Sequence, residues 1–254
     1  MKQEKELKQL LTGQKFVSSE YDLALLESTK TYARAYARAT EGVGVVSDFH
    51  NSVCYIYAGK FGQYFFGLPE YLEDYETAFE NVIFDRVVKE DLLERHILEL
   101  SFLAYLKNVP ASKKSEYLAS CFLRIYNERR SDTVQILHTT RYLNCLSNGS
   151  IWCGLCTYSP FPQTSLGLNG GIVNTYTGLT VSKEEYRQNN NKLLSKRQKE
   201  ILGFLAKGLG SKQIAESLNI SFNTVNRHRQ DILSVLRVKN TVAAVEIGVK
   251  MNLI

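Results

Sequence analysis

Arg227, with Asn223, Asn226 and Gln230 around it, places side chains that can read nucleobases at helical spacing. Arg donates two hydrogen bonds to the guanine edge, and Asn or Gln pairs with the adenine edge. At 100° per residue the four share an arc of about 100°, while Val225, Ile232, Leu233 and Leu236 gather on the other side. The chemistry implied is recognition of double-stranded DNA; a solvated helix face is the plain alternative. A second spacing, Cys153-Gly154-Leu155-Cys156, has the form of a redox pair, which needs one thiol at a helix N-terminus. Here it lies in strand-like sequence running into Ser159-Pro160-Phe161-Pro162, where no helix starts promptly, and residues 153 and 156 of a regular strand face opposite ways. Two structural thiols are expected, with a thiol redox switch through Cys153 and Cys156 as a competing reading. His50, His96 and His138 have no metal-ligand spacing, and His96 reads as a satisfied surface or core histidine rather than a haem ligand. There is no Gly-rich phosphate loop and no nucleophile elbow, so no catalytic residue, metal or other cofactor is expected, and no enzymatic activity.

The elements that position these residues are set by an uneven charge. Residues 192–254 hold 11 Lys and Arg against 4 Asp and Glu, a net of +7, whereas residues 1–191 carry a net of −2. Aromatic residues divide the other way: of 15 Tyr, 12 Phe and 1 Trp, only Phe204 and Phe222 lie beyond residue 191. A basic, helix-patterned tail on an acidic, aromatic-rich body describes a nucleic-acid-binding unit joined to something that senses, catalyses or assembles. The length of 254 residues and the 44% apolar content suit two globular domains. The stretch 161–191, with four Gly and the run Gln188-Asn189-Asn190-Asn191, reads as linker, although Gly171 to Tyr176 has strand character. Neither a secretory leader nor an apolar run of about 18 residues is evident, and five irregularly spaced Cys suit a reducing compartment. No membrane association and a cytoplasmic location are expected. The amphipathic start, with Leu7, Leu10 and Leu11, is expected to pack on its own domain.

In the basic tail, Ser195 with Gln198 forms a capping box for a helix carrying Ile201, Leu202, Leu205 and Ala206, stopped by Gly208 and Gly210. Ser211 is expected to cap a second helix with Ile214, Ala215 and Leu218 inward. After the Asn219-Ile220 turn, Ser221 caps a third helix to about Leu236, and Asn240 opens a fourth with Val242, Val245 and Val249. Two helices joined by a short turn in a basic domain read as a helix-turn-helix.

Residues 194–254, from Leu-Ser-Lys-Arg-Gln-Lys-Glu-Ile-Leu through Lys-Gln-Ile-Ala-Glu-Ser-Leu-Asn-Ile-Ser-Phe-Asn-Thr-Val-Asn-Arg-His to Met-Asn-Leu-Ile, resemble the LuxR/GerE-type DNA-binding domain. The resemblance implies that Asn226, Arg227 and Gln230 face bases and that Lys212, Ser221 and Thr224 touch phosphates, with Arg229 also assigned to the DNA backbone. His228 either contacts that backbone or fills the helix flank. Amides replace the acids usual at Gln198 and Gln213, Asp231 stands where an amide is common, and Asn226 where Lys is common. Asn252 replaces a Gly, and Asn is the next most tolerant residue for a left-handed helix end. The stripe Val242, Val245 and Val249, beside Ala244 and Gly248, is expected to be a dimerisation surface that a symmetric copy approaches; the alternative is that it only covers the first helix.

Before the linker, residues 22–40 are helical, followed by strands from Val43 and at Val53 to Tyr57, and small helices from Phe61 to Phe84. A longer helix runs from Glu90 to Leu106, and strands follow at 116–126, 133–146 and 150–158. That order resembles a PAS sensor domain, a five-stranded sheet covered by helices over a small pocket. Phe65-Phe66-Gly67-Leu68-Pro69-Glu70-Tyr71-Leu72 is similar to its helical turn, and Val87 to Leu92 to its acidic step. The rival is a GAF-like autoinducer-binding domain, whose paired Trp residues are missing here.

The fold class expected is α+β: a PAS-like antiparallel sheet with helices over 1–160, a linker at 161–191, and an all-α four-helix helix-turn-helix domain over 192–254. The function expected is sequence-specific transcriptional regulation by a homodimer on double-stranded DNA, with RNA polymerase as a partner. The first domain would sense a small-molecule ligand or mediate dimerisation. A promoter binder of the sigma-factor kind, working only within polymerase, is the alternative from another class.

Overall fold

Asp22 accepts the Leu25 amide at 3.1 Å and so starts helix α1 (Leu23–Thr40), which ends where Glu41 turns left-handed at φ 56°. A computed structural model describes residues 11, 13–17, 20–127, 132–161, 170–175, 177, 179–182, 184–185, 190 and 192–254. Leu11 is buried against the first domain, while Leu7, Leu10, Glu128 to Ser131 and the run Gln188-Asn189 lie outside the described residues.

Beyond α1 the chain forms β1 (Val43–Asp48) and β2 (Val53–Ala58), paired from Val43↔Ala58 to Asp48↔Val53. Then come α2 (Lys60–Phe66), β3 (Tyr71–Asp74), α3 (Asn81–Phe84) and α4 (Lys89–Leu106). Strands β4 (Tyr117–Asn127), β5 (Asp132–Cys145) and β6 (Ile151–Pro160) complete the five expected from sequence. Among the described residues all pairings are antiparallel, in the spatial order β3-β2-β1-β6-β5-β4 followed by β7 (Gly171–Asn174) and β8 (Thr180–Val181), with β1 joined to β6 from Val43↔Tyr158 to Asp48↔Cys153.

Strands β3 and β8 exceed the expectation, while β7 realises the strand character of Gly171 to Tyr176. Tyr71-Leu72, read as part of a helical turn, sits in β3 and pairs with β2 because Leu72 turns to the core while Tyr71 is exposed, a period of two. The stretch read as linker contains β7 (Gly171–Asn174) and β8 (Thr180–Val181), which bury Ile172 and Val181 beside Phe102 and extend the sheet past β4. The sheet thus continues past residue 160, to Val181. Helix α1 lies on the β1–β2–β6 face with Leu26, Ala33 and Ala37 against Val46, Tyr57 and Trp152. Its close approach needs Gly44, where a Cβ would stand 2.4 Å from the Ala33 carbonyl oxygen.

The basic tail forms four helices, α5 (Lys196–Ala206), α6 (Ser211–Leu218), α7 (Phe222–Leu236) and α8 (Thr241–Lys250), around Ile201, Leu202, Ile214, Val225, Ile232, Leu236 and Ile247. The chain is α+β, an antiparallel sheet with helices followed by an all-helical unit. No helix among the described residues is long and apolar enough to cross a membrane.

The two units share α4. Its inward face carries Arg95, Glu99, Phe102 and Leu106, while Leu100, only 2% exposed, belongs to the core of the helical unit together with Leu93 and Ile97. Burying one Leu in this way contributes about 1.5–3 kcal/mol. Lys250 meets Glu94 at 2.7 Å across the seam, and His96 Nε2 lies 3.1 Å from the Leu236 carbonyl. A carbonyl only accepts, so Nε2 carries the proton and donates.

Burial holds His96 down to about 4, with Glu99 acting to raise it and Arg237 and Arg95 to lower it. Above its ordinary 6.5 the ring is neutral folded or unfolded and contributes no pH dependence. Between 6.5 and about 4 only the unfolded chain takes up the proton, so stability is lost as pH falls through that window, by up to roughly 1.4 kcal/mol per unit. His138, buried and held well below its ordinary range, adds in the same direction. Urea midpoints should therefore be flat above pH 7 and decline below 6.5. His96→Gln should flatten that decline; an unchanged slope would show that His96 is not docked as described.

Candidate nucleic-acid interface and buried polar core

Helix α7 is started by Ser221, whose hydroxyl accepts the Thr224 amide at 3.0 Å and lies 2.8 Å from the Thr224 hydroxyl. It is seated by Val225, Ile232 and Leu236, all buried, with Leu233 packed beside them. That fixes its other face: Asn223, Arg227 and Gln230 are exposed and Asn226 half-exposed. Lys212, in the first turn of α6, is also exposed. The turn between α6 and α7 is made by Asn219, left-handed at φ 50°. His228 is half-buried, with Nδ1 turned inward and unpartnered.

Several caps follow the sequence. Gln198 closes the box with Ser195, Asn240 accepts the Ala243 amide at 2.9 Å, and Asn252 takes the left-handed φ of 54° in place of a Gly. Ser211 does not cap α6. Gly210 holds that position, with the Gln213 side chain accepting its N–H at 2.9 Å, and Ser211 is the buried first residue of the helix.

Ser211 instead receives Arg229. The guanidinium donates to the Ser211 hydroxyl at 2.6 Å and to the Thr241 hydroxyl at 2.9 Å, joining α6, α7 and α8. Arg229, expected on the DNA backbone, is thus engaged inside the domain. The stripe on α8 divides between core and surface. Ala244 and Gly248 are buried against the unit's own first helix, since a Cβ on Gly248 would lie 2.8 Å from Leu202. Val245 packs on the same core, whereas Val242 and Val249 are 78% and 55% exposed.

Sequence reasoning missed a polar cluster inside the first domain. On α4, Arg95 Nη1 donates to Glu99 Oε2 at 2.7 Å, and Tyr142 on β5 donates to Glu99 Oε1 at 3.0 Å. His138 stacks on Tyr158 with 4.5 Å between ring centroids and lies 3.0 Å from the Thr140 hydroxyl, while Tyr158 donates to Glu80 at 2.7 Å. Although burial opposes ionisation, the Arg95 and Arg237 charges and the Tyr142 hydroxyl hold Glu99 below the usual carboxylate range. Burial, and then Arg95, keep His138 neutral. The space beside Arg95, Glu99 and His138 is about 10 Å³, room for roughly one water. The available signal was the Arg95–Glu99 pair, four apart on the long helix read from Glu90 to Leu106.

The cysteines show no redox pairing. Cys153 packs in the α1 layer and Cys156 in the other core cluster, both buried, and burial pushes both thiols up, away from the reactive thiolate. Among the described residues no group of three His, Cys, Asp or Glu could hold a metal ion.

Residues 192–247 match the family model of bacterial regulatory proteins, luxR family, GerE type. The chain is 37% identical over 97 residues to the oxygen regulatory protein NreC of Staphylococcus haemolyticus, covering 38% of this chain and 45% of that protein. The Staphylococcus aureus (strain JH9) NreC is 44% identical over 63 residues, covering 25% and 29%. The chain therefore spans less than half the length of these relatives. The solved Vibrio cholerae VqmA dimer is 15% identical at a TM-score of 0.28, covering 85% of each chain. The four-helix unit that seats α7 is a luxR-family domain of bacterial regulatory proteins.

Proposed function

We propose that the chain is a DNA-binding transcriptional regulator whose first domain senses a small molecule. The observation that carries this reading is the uncovered arc Asn223, Asn226, Arg227 and Gln230 on a helix seated within a luxR-family domain. Asn226, Arg227 and Gln230 face bases; Lys212 and the α7 start at Ser221 and Thr224 take phosphates, with His228 at the flank. The net +7 of residues 192–254 supplies the attraction to the duplex. Docking on α4 leaves the arc open, so the DNA-facing helix is not masked in this arrangement.

Two copies bind together, each presenting Val242 and Val249, the exposed members of the α8 stripe, and RNA polymerase in the cytoplasm is the partner through which binding is read out. The sensing site is the polar cluster of Arg95, Glu99 and His138, where a ligand would have to open the present small space.

The DNA assignment is tested by mobility shifts with purified protein and no polymerase. Arg227→Ala should cost about 1–3 kcal/mol and relax specificity, whereas Lys212→Ala should weaken all sequences and flatten the salt slope by about one. Operator affinity unmoved by both would overturn the role of α7. In the same preparations Arg229→Ala should lower stability by about 1–2 kcal/mol, as expected for losing two charge-assisted bonds, while Arg227→Ala leaves the melting temperature in place.

For the dimer, footprinting should show two protected half-sites about one helical turn apart. Val242→Glu combined with Val249→Glu, both at exposed positions, should abolish the joint occupancy and spare the fold. A single half-site protected by the unaltered protein would refute the pairing.

A further inference from the structure

Arg237, the residue after α7, carries two costs at once. It sits at φ 57°, the left-handed position that closes helices and favours Gly or Asn, with the Val238 amide returning to the Leu233 carbonyl at 3.0 Å. It is also only 3% exposed, and its Nε and Nη1 are buried without an acceptor. The carboxylate whose charge it feels is Glu99, but both Glu99 oxygens are taken, one by Arg95 at 2.7 Å and one by Tyr142 at 3.0 Å. Glu80, the other buried acid of that core, accepts from Tyr158. A buried guanidinium that lacks acceptors is expensive, and an outlier of backbone and burial in one residue points to a use.

Arg237 lines a cavity of about 300 Å³ at the seam between the two units. The walls are apolar: Leu11, Leu103 and Ile151 from the first unit, Leu193 and Val235 from the second. The charged lining residues are Lys107, Lys114 and Arg237; Lys114 donates to the Gly149 carbonyl at 2.9 Å, and no described lining residue is acidic. Apolar walls with convergent cationic donors suit an anion with an apolar body.

We propose that this cavity binds a monocarboxylate with an unbranched apolar tail, whose carboxylate supplies the acceptors that Arg237 lacks. Because the walls come from both units, the site exists only while the helical unit is docked on α4, and an occupant favours that arrangement. The site is separate from the polar cluster around His138, and its test needs no DNA, so it stands apart from the regulatory reading.

The experiment is titration calorimetry of the full chain with decanoate, and with decan-1-ol and acetate as comparisons. Decanoate should bind saturably at one per chain and raise the melting temperature; decanol, lacking the charge, and acetate, lacking the tail, should each bind at least tenfold more weakly. Arg237→Gln should weaken decanoate at least tenfold, with Arg237→Lys recovering part of it. Leu103→Trp, at a partly exposed lining position, should fill the cavity and abolish binding with the circular dichroism spectrum retained. Absence of saturable binding to the unaltered protein overturns the proposal. So does equal affinity for decanoate and decanol, or decanoate binding untouched by Arg237→Gln and Leu103→Trp.

Discussion

Glu99 is a buried carboxylate on a helix with almost no face left for water, and the two halves of the molecule are organised around its charge. Removed from solvent, it requires the Arg95 guanidinium one turn away and the Tyr142 hydroxyl from the sheet. Those contacts fix α4 over β5. With α4 fixed, Leu93, Ile97 and Leu100 turn outward as a ready-made apolar strip, and the helical unit completes its core on it. Arg237 then enters the electrostatic field of the same carboxylate from the other side. One acidic side chain therefore connects the interior of the sheet domain with the end of the helix that carries the base-reading arc.

This arrangement makes α4 a coupling element in a physical sense. Its inner face lines the polar cluster and its outer face holds the helical unit, so a change in the packing of Glu99 is felt by the Arg237 charge, and His96 beside Arg95 reaches the Leu236 carbonyl. Packed interiors shift between discrete arrangements rather than deforming smoothly, which is the property a sensor needs.

The sequence was most legible where local chemistry decides structure. Ser195 with Gln198, Ser221 and Asn240 set helix starts through side-chain to backbone bonds within four residues, and the third-helix wheel sorted buried from exposed side chains. The α6 start was misplaced by one residue because Ser211 and Gly210 both suit that end, and tertiary demand for a hydroxyl under Arg229 decided between them. Long-range pairing was harder to read. Tyr71-Leu72 and Thr180-Val181 are short segments that become strands only because β2 and β7 offer unpaired edges. The Ala244–Gly248 surface looked outward on a wheel whose orientation depended on Leu202. The roles of Glu99 and Arg237 have little local trace, since Glu99 needs Tyr142, 43 residues on, and Arg237 depends on the other unit.

The pairing of β1 with β6 carries a consequence for how the chain is made. Val43 cannot find Tyr158 until more than a hundred further residues have left the ribosome, so the middle of the sheet stays open through most of synthesis. When the sheet does close, the outer strip of α4 remains bare until residues 192–254 follow and fold from mostly local contacts. For that interval the nascent protein displays Leu93, Ile97 and Leu100 to water. A ribosome stalled in this window, or a message truncated there, yields a chain with a finished sheet and a sticky helix, the kind of species that chaperones capture and proteases clear.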